Sequence, residues 1–109
     1  MPTPDVDLAP MRLAIAASRQ ALVAGDQPFG ATLVSPAGQV LLTERNRQHT
    51  AADTSAHAET VLLRRAAEQL GPAALRGATV YASGEPCAMC AGALFWAGAH
   101  GAGFAAGVH

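Results

Sequence analysis

Both cysteines of the chain lie in the stretch SGEPCAMCAGALFWA, residues 83–97. Cys87 and Cys90 are three positions apart, a spacing that puts both thiols on one face of a helix. Pro86 suits the first turn of a helix, so we expect the thiols near a helix N-terminus. There the helix dipole and free amide N–H groups lower the pKa of a thiol, and the thiolate is the form that binds metal. The stretch therefore predicts part of a metal site.

A C-x-x-C pair is also compatible with a redox pair or with chance, so a third ligand decides between these interpretations. His57, in the segment His57-Ala58-Glu59 at the start of a second predicted helix, adds an imidazole to the two thiolates. Three protein ligands leave one zinc position open, as in catalytic rather than structural zinc sites. We therefore expect one Zn²⁺ per chain on His57, Cys87 and Cys90, with Glu59 off the metal as the catalytic proton carrier.

Composition limits the size and the partners of the protein. The 109 residues, half of them hydrophobic, suit a single domain spanning residues 1–109. The net charge is −1 and all seven basic residues are arginine, without a basic run, so a nucleic-acid partner is not expected.

Residues 1–7 lack the basic and apolar pattern of a signal peptide, and no apolar run reaches the ~20 residues that cross a bilayer. We expect a cytoplasmic protein without a membrane partner, whose cysteines are ligands rather than a disulfide.

Apolar periodicity and turn residues predict the order α-β-β-α-β-α-β. The predicted elements are a helix from Asp7 to Gly25, a hairpin of Phe29–Val34 and Val40–Thr43, a helix capped by Ser55 and ended by Gly71-Pro72, a strand Ala78–Ala82, the cysteine helix and a strand within Gly101–Val108. The expected buried stripes are Leu8, Met11, Ile15 and Leu22 in the first helix, and Ala58, Leu62, Ala66 and Leu70 in the second. Arg64 and Glu68 should pair outside the second helix. Such helices cover a small mixed sheet in a layered α/β domain.

Together these motifs resemble the cytidine deaminase-like superfamily, whose zinc-dependent base deaminases carry H-x-E and P-C-x-x-C. The resemblance covers roughly Met11 to His109 and is greatest to the bacterial guanine deaminase and tRNA adenosine deaminase branch. It rests on Pro28-Phe29-Gly30-Ala31, Asn46, His57-Ala58-Glu59, Glu85 to Ala93, and Phe95-Trp96-Ala97. It implies a three-layer α-β-α fold with a mixed central sheet. Phe29 and the aromatic pair ending in Trp96 favour the guanine side.

The resemblance also implies roles for single residues. Phe29 stacks on the substrate ring, Asn46 hydrogen-bonds it, the backbone of Ala58 contacts the base, and Trp96 completes an aromatic pocket. Without the motifs, Phe29 and Trp96 would more often be core residues and Asn46 a turn residue. The implied reaction is hydrolytic deamination of a free purine base of guanine type, or of a related aminated heterocycle, with release of ammonia.

Other functions stay open at this point. One is tRNA adenosine deamination, and another is a truncated, non-catalytic zinc-binding domain. A thiol redox protein would leave His57-Ala58-Glu59 unexplained.

Three features of the chain depart from the family pattern. Asp53-Thr54 stands where a Pro usually follows the Asp, and Gly98 to Gly103 is glycine-rich where relatives carry a firm strand. By the same resemblance, relatives of both kinds continue beyond the position of His109 through another strand and C-terminal helices, so we expect a fold without these elements. We expect a homodimer, because pairing removes an uncovered sheet edge.

Overall fold

A computed structural model describes residues 8–102 of the chain. The elements are α1 (Leu8–Ala24), β1 (Gly30–Val34), β2 (Val40–Arg45), α2 (Ala58–Leu70), β3 (Thr79–Ala82), α3 (Ala88–Ala97) and β4 (His100–Ala102), with a 3-10 turn over Pro72–Leu75. The predicted order is confirmed. Asp7, the expected start of α1, and residues 103–108 of the expected last strand lie outside the described residues.

The four strands form one mixed sheet in the order β2-β1-β3-β4. β1 is antiparallel to both β2 and β3, whereas β3 and β4 are parallel. The predicted hairpin is confirmed, with Gly30 opposite Arg45. β2 runs two residues beyond the predicted Thr43, because Glu44 and Arg45 continue the ladder with β1.

Helices cover both faces of the sheet, so the predicted three-layer α-β-α architecture is confirmed. Successive strand residues point to opposite faces. On one face Ala31 and Leu33 of β1 pack with residues of α2 and α3, including Leu62 and Leu94. The opposite face packs against α1 through a smaller cluster of Met11, Ala14, Val34 and Tyr81.

The buried stripe of α1 differs from the predicted one. Its buried residues are Pro10, Met11, Ala14, Ala17 and Ala21, whereas Leu8 and Leu22 are each 62% exposed. The reason lies in β1, where a Cβ on Gly30 would collide with the carbonyl oxygen of Ala14 and lie 2.7 Å from Ala17 Cβ. α1 crosses β1 so closely that only small residues fit between them, and the large leucines turn outward.

α2 begins later than predicted. Its N-cap is His57, and Ser55 instead bonds the Asp53 carboxylate through both its N–H and its hydroxyl, so Ser55 does not cap the helix. Ala58, Leu62 and Ala66 are buried as predicted, but Leu70 is 46% exposed because the helix ends there, before Gly71 at φ 89°. The predicted outer pair of Arg64 and Glu68 is present at 3.5 Å. No helix in the described part of the chain is long and apolar enough to cross a membrane.

Candidate metal centre and substrate pocket

Two helix N-termini bring the three expected ligands together. His57 is the N-cap of α2, Cys87 is the N-cap of α3, and Cys90 lies in the first turn of α3. Pro86 precedes the N-cap instead of lying in the first turn. The ligand atoms of His57, Cys87 and Cys90 all lie within 4.8 Å of one another. The structure thus places residues 30 and 33 positions apart in the sequence at one point.

The distances between these atoms fit a tetrahedral zinc ion. Zinc–sulfur bonds of about 2.3 Å and zinc–nitrogen bonds of about 2.05 Å, at a tetrahedral angle, separate sulfur from nitrogen by about 3.5 Å. His57 Nδ1 lies 3.5 Å from Cys87 Sγ and 3.6 Å from Cys90 Sγ. One imidazole and two thiolates are also ligands that zinc prefers. The residues present therefore fit this ion, with a fourth position left for water or substrate.

The pKa of the Cys90 thiol is raised, whereas a thiol at a helix N-terminus is expected to have a lowered pKa. Burial raises the pKa of the Cys90 thiol, and the nearby Glu59 carboxylate and Cys87 raise it further. These effects outweigh the helix N-terminus, because Cys90 is fully buried. A metal binds the thiolate, so metal binding to Cys90 displaces the proton that burial favours on this thiol.

Glu59 is the second residue of α2 and is only 7% exposed. Burial raises the pKa of its carboxyl, while its own backbone N–H, the charge of His57 and the Cys90 side chain oppose that rise. A carboxyl whose pKa is raised toward neutral pH is a stronger base than an ordinary carboxylate and can still give the proton back, which suits it to both steps of proton transfer. Glu59 therefore has the environment of a general acid and base beside the three ligands.

A single open cavity of about 140 Å³ connects these groups with the expected substrate residues. Its walls are Phe29, Asn46, Gln48, His57, Glu59, Glu85 and Cys87. Phe29, 42% exposed, rests on Gly84, where a Cβ would lie 2.8 Å from the ring atom Cε1. Gly84 therefore lets the Phe29 ring lie along the cavity wall.

The structure does not bring Ala58 or Trp96 to the cavity wall. Ala58 is fully buried and its side chain belongs to the core beneath α2. Trp96 is 85% exposed and packs edge-on against Phe95, with 5.4 Å between the ring centroids. It lies six residues after Cys90 on α3, which is about 9 Å along the helix axis and on another face. Trp96 therefore lies away from the cavity in the described structure, and its place in an aromatic pocket stays a prediction.

Asp26 supports the cavity wall from behind, a role that the sequence did not indicate. Its side chain is fully buried, and its carboxylate accepts hydrogen bonds from the backbone N–H groups of His49 and Thr50, the Thr50 hydroxyl and Arg45 Nη1, at 2.7–2.8 Å. Burial alone would raise the pKa of Asp26, but these hydrogen bonds hold it well below its usual range. Asp26 therefore anchors the segment that follows β2 and carries Asn46 to the cavity.

Gln48 and Glu85 are further wall residues that received no role from the sequence. Gln48 bonds to the side chain of Asn46 and to the carbonyl oxygen of Thr54. Glu85 adds a second carboxylate to the cavity wall that Glu59 also lines. Asn46 and Gln48 are polar residues two positions apart after a strand, a pattern common in turns, so the sequence carried no signal to separate these roles.

Residues 4–105 match the family described as the cytidine and deoxycytidylate deaminase zinc-binding region. Over 87 residues the chain is 41% identical to the tRNA-specific adenosine deaminase of Agrobacterium fabrum, covering 80% of this chain and 57% of that protein. It is 42% identical over 92 residues to a probable cytosine deaminase of Schizosaccharomyces pombe, covering 84% and 55%. It is 41% identical over 70 residues to the guanine deaminase of Bacillus subtilis, covering 64% and 44%. The chain thus spans about half the length of these curated relatives.

Solved structures of deaminases are also similar to this chain in fold. A structure from a study of A-to-I editing by tRNA:A34 deaminases superposes with a TM-score of 0.79 and 39% identity, over 84% of this chain and 70% of that one. The X-ray structure of guanine deaminase from Bacillus subtilis gives 0.77 and 31%, over 91% and 65%. The matched family region is the zinc-binding one, and the three ligands are in place, so zinc is the metal of this site. On these grounds the chain belongs to the cytidine and deoxycytidylate deaminase family of zinc-binding proteins.

Proposed function

We propose that this protein hydrolytically deaminates a free purine base of guanine type, or a related aminated heterocycle, with release of ammonia. The observation that carries the proposal is the buried Glu59 carboxylate, which lines one small cavity together with two of the three metal ligands, His57 and Cys87. A carboxylate off the metal next to three zinc ligands is the arrangement that deaminases use. A redox role for the two cysteines would give neither His57 nor Glu59 a task.

The roles of the residues follow from their positions. Bound zinc supplies the Lewis acidity that makes a water nucleophilic at neutral pH. Glu59 takes a proton from the attacking water and delivers it to the ring nitrogen, as the new C–O bond forms at the carbon that carries the amine. Glu59 then takes the proton of the new hydroxyl and passes it to the amine, so that the C=O bond forms as the C–N bond breaks and ammonia leaves. Asn46 hydrogen-bonds the ring edge, and Phe29 stacks on the ring face.

The size and charge of the cavity support a small uncharged substrate. About 140 Å³ is well below the ~300–1,000 Å³ of pockets for drug-sized ligands. The wall carries two carboxylates, Glu59 and Glu85, and no arginine or lysine in the described residues. A base or heterocycle without phosphate suits such a wall, because phosphate groups are bound by cationic side chains.

The ion pairs of the arginines also favour a substrate without phosphate. Four of the seven are paired with carboxylates: Arg45 with Asp26, Arg47 and Arg65 with Glu44, and Arg64 with Glu68. An arginine paired with a carboxylate offers less free positive charge for binding a phosphate backbone than an unpaired one.

Deamination of adenosine in tRNA is the second candidate. It is favoured by the 41% identity to a tRNA-specific adenosine deaminase, which equals the identity to guanine deaminase.

We also propose that residues 1–109 act as one deaminase domain and that the chain forms a homodimer. Support for the dimer comes from Phe95 and Trp96, which are 74% and 85% exposed on α3.

The test is an ammonia-release assay of the zinc-loaded chain with guanine, adenine, cytosine and amino-triazines. We expect ammonia from guanine or a close analogue. Conversion of adenosine to inosine in a tRNA anticodon, with no ammonia from any of the free bases, would select the second candidate. No product from any of these substrates at full zinc loading would favour a non-catalytic domain.

A further inference from the structure

We propose that Gln48 is a positioning residue, which fixes the carboxamide of Asn46 in one orientation toward the substrate. This inference rests on the proposed function, because it concerns how the same cavity recognises a base. Both residues lie on the cavity wall. Asn46 is only 1% exposed, so its amide cannot exchange partners freely with bulk water.

Two hydrogen bonds join the residues in opposite directions. The backbone N–H of Gln48 donates to Asn46 Oδ1 at 2.9 Å. Asn46 Nδ2 donates to Gln48 Oε1 at 2.7 Å. A backbone N–H can only donate, so the atom of Asn46 facing it must be the oxygen. Flipping the Asn46 amide would set two donors against each other at one contact and two acceptors at the other.

The side chain of Gln48 is itself held in place. Its Nε2 donates to the carbonyl oxygen of Thr54 at 3.1 Å. A carbonyl can only accept, which identifies the nitrogen of Gln48 and leaves Oε1 to face Asn46. Gln48 therefore bridges the segment after β2 and the segment that leads to His57. Two backbone groups thus fix the orientation of the two amides: the N–H of Gln48 orients Asn46, and the carbonyl oxygen of Thr54 orients the Gln48 side chain.

A defined hydrogen-bonding pattern remains for the substrate. A carboxamide has two N–H groups and two lone pairs on oxygen. Gln48 uses one of each, so Asn46 keeps one donor and one acceptor in a fixed order. The ligand that matches is a heterocycle with a hydrogen-bond acceptor beside a donor on one edge, as in an aminated base. Without the Gln48 side chain, only the backbone N–H of residue 48 still contacts Asn46 Oδ1. The amide is then held by one hydrogen bond instead of two, so the flipped orientation becomes more populated and the order of donor and acceptor is less strictly defined.

The test compares three variants of the full, zinc-loaded chain. Gln48→Met keeps the length of the side chain but removes both of its polar groups. Gln48→Glu keeps an acceptor for Asn46 Nδ2, removes the donor to Thr54 and adds a negative charge. His49→Ala is the matched control, because His49 is exposed in the same segment and its hydrogen bonds to Asp26 and Ala52 use its backbone N–H and carbonyl, which the substitution keeps. Zinc content confirms that each variant is folded.

Two readouts separate positioning from mere structure. The first is hydrogen exchange of the Asn46 side-chain amide, followed by nuclear magnetic resonance. The second is the steady-state kinetics of ammonia release from guanine. In Gln48→Met we expect the Asn46 exchange rate and the KM to rise about fivefold, the factor that one net hydrogen bond corresponds to, with kcat within about twofold. Gln48→Glu should lie between this variant and the wild type, and His49→Ala should match the wild type.

Unchanged Asn46 exchange in Gln48→Met would overturn the inference, as would an unchanged KM despite faster exchange. An equal effect in His49→Ala would also overturn it. If the wild-type chain releases no ammonia from guanine, the guanine assignment fails, and the exchange of the Asn46 amide alone decides on Gln48.

Discussion

At the scale of single residues, burial gives Glu59 its chemistry. The carboxyl is almost fully buried in the first turn of α2, and this burial raises its pKa. In the proposed reaction Glu59 is the group that moves protons, whereas His57, Cys87 and Cys90 hold the metal. Replacement of Glu59 should therefore affect the reaction and leave metal binding unchanged.

We predict that Glu59→Gln keeps zinc and fold but lowers kcat by about 10² to 10⁴, the range typical of a lost general acid or base. The glutamine has nearly the same shape but cannot carry the proton. Ammonia release and zinc content are measured on the same preparation. Wild-type turnover in this variant would remove Glu59 from the mechanism.

The ligand set gives a second prediction at this scale. The wild-type chain should hold about one zinc ion, and the double variant Cys87→Ala, Cys90→Ala should hold almost none, because one imidazole alone binds zinc weakly. Metal analysis after dialysis measures both. Val23→Ser on the exposed surface of α1 serves as the control and should keep its zinc. Stoichiometric zinc in the double variant would refute the assignment of the ligands.

At the scale of elements, Asp26 ties the turn before β1 to the segment after β2. Its four hydrogen bonds reach residues 19 to 24 positions away, so the cavity wall depends on one buried carboxylate. These bonds depress the pKa of Asp26 in the folded chain. A depressed carboxyl pKa stabilises the fold above the unfolded value of about 3.9, and this stabilisation is lost as the pH falls toward the folded value.

The prediction concerns the difference in unfolding free energy between wild type and Asp26→Asn. We expect the wild type to be more stable at pH 5 to 7, with the difference shrinking as the pH falls below about 4. Denaturant titrations at several pH values measure it. Glu68→Gln, which changes an exposed pair on α2, is the control and should differ from wild type by less than about 1 kcal/mol. A difference between wild type and Asp26→Asn that stays constant down to pH 3 would contradict the role given to Asp26.

Element order and ligands could be predicted from the sequence because their signals are local. Each of these signals lies within a few residues of sequence: the segment His57-Ala58-Glu59, the pair Cys87 and Cys90, and the turn residues of the hairpin. The Asp26 network could not be predicted, since it joins distant residues through backbone groups. The outward turn of Leu8 and Leu22 depends on the close approach of α1 to Gly30, which helical periodicity does not report.

The position of Trp96 likewise depends on packing that the local sequence does not report. Its neighbours are apolar, and a motif placed it near the substrate, but the rotation of α3 places it on the surface. Phe29 and Asn46 were predicted to lie near the substrate, and the structure brings both to the cavity wall. Their roles toward a substrate remain predictions.

At the scale of the whole molecule, the exposed pair of Phe95 and Trp96 leads to a prediction on assembly. We expect a dimer by sedimentation at micromolar concentration and a shift toward monomer in Trp96→Ser, because burial of a large aromatic side chain stabilises an interface. Val23→Ser is the control, since Val23 is 90% exposed on α1, away from this pair. A wild-type monomer, or a dimer that Trp96→Ser does not weaken, would contradict this prediction.

The most direct test of zinc-dependent deamination is ammonia release before and after removal of the metal. The assay uses the full chain and the best substrate of the base panel. We predict that chelation to less than about a tenth of an equivalent of zinc abolishes release, and that one equivalent of added zinc restores it. Release that continues unchanged in the zinc-depleted protein would contradict the account.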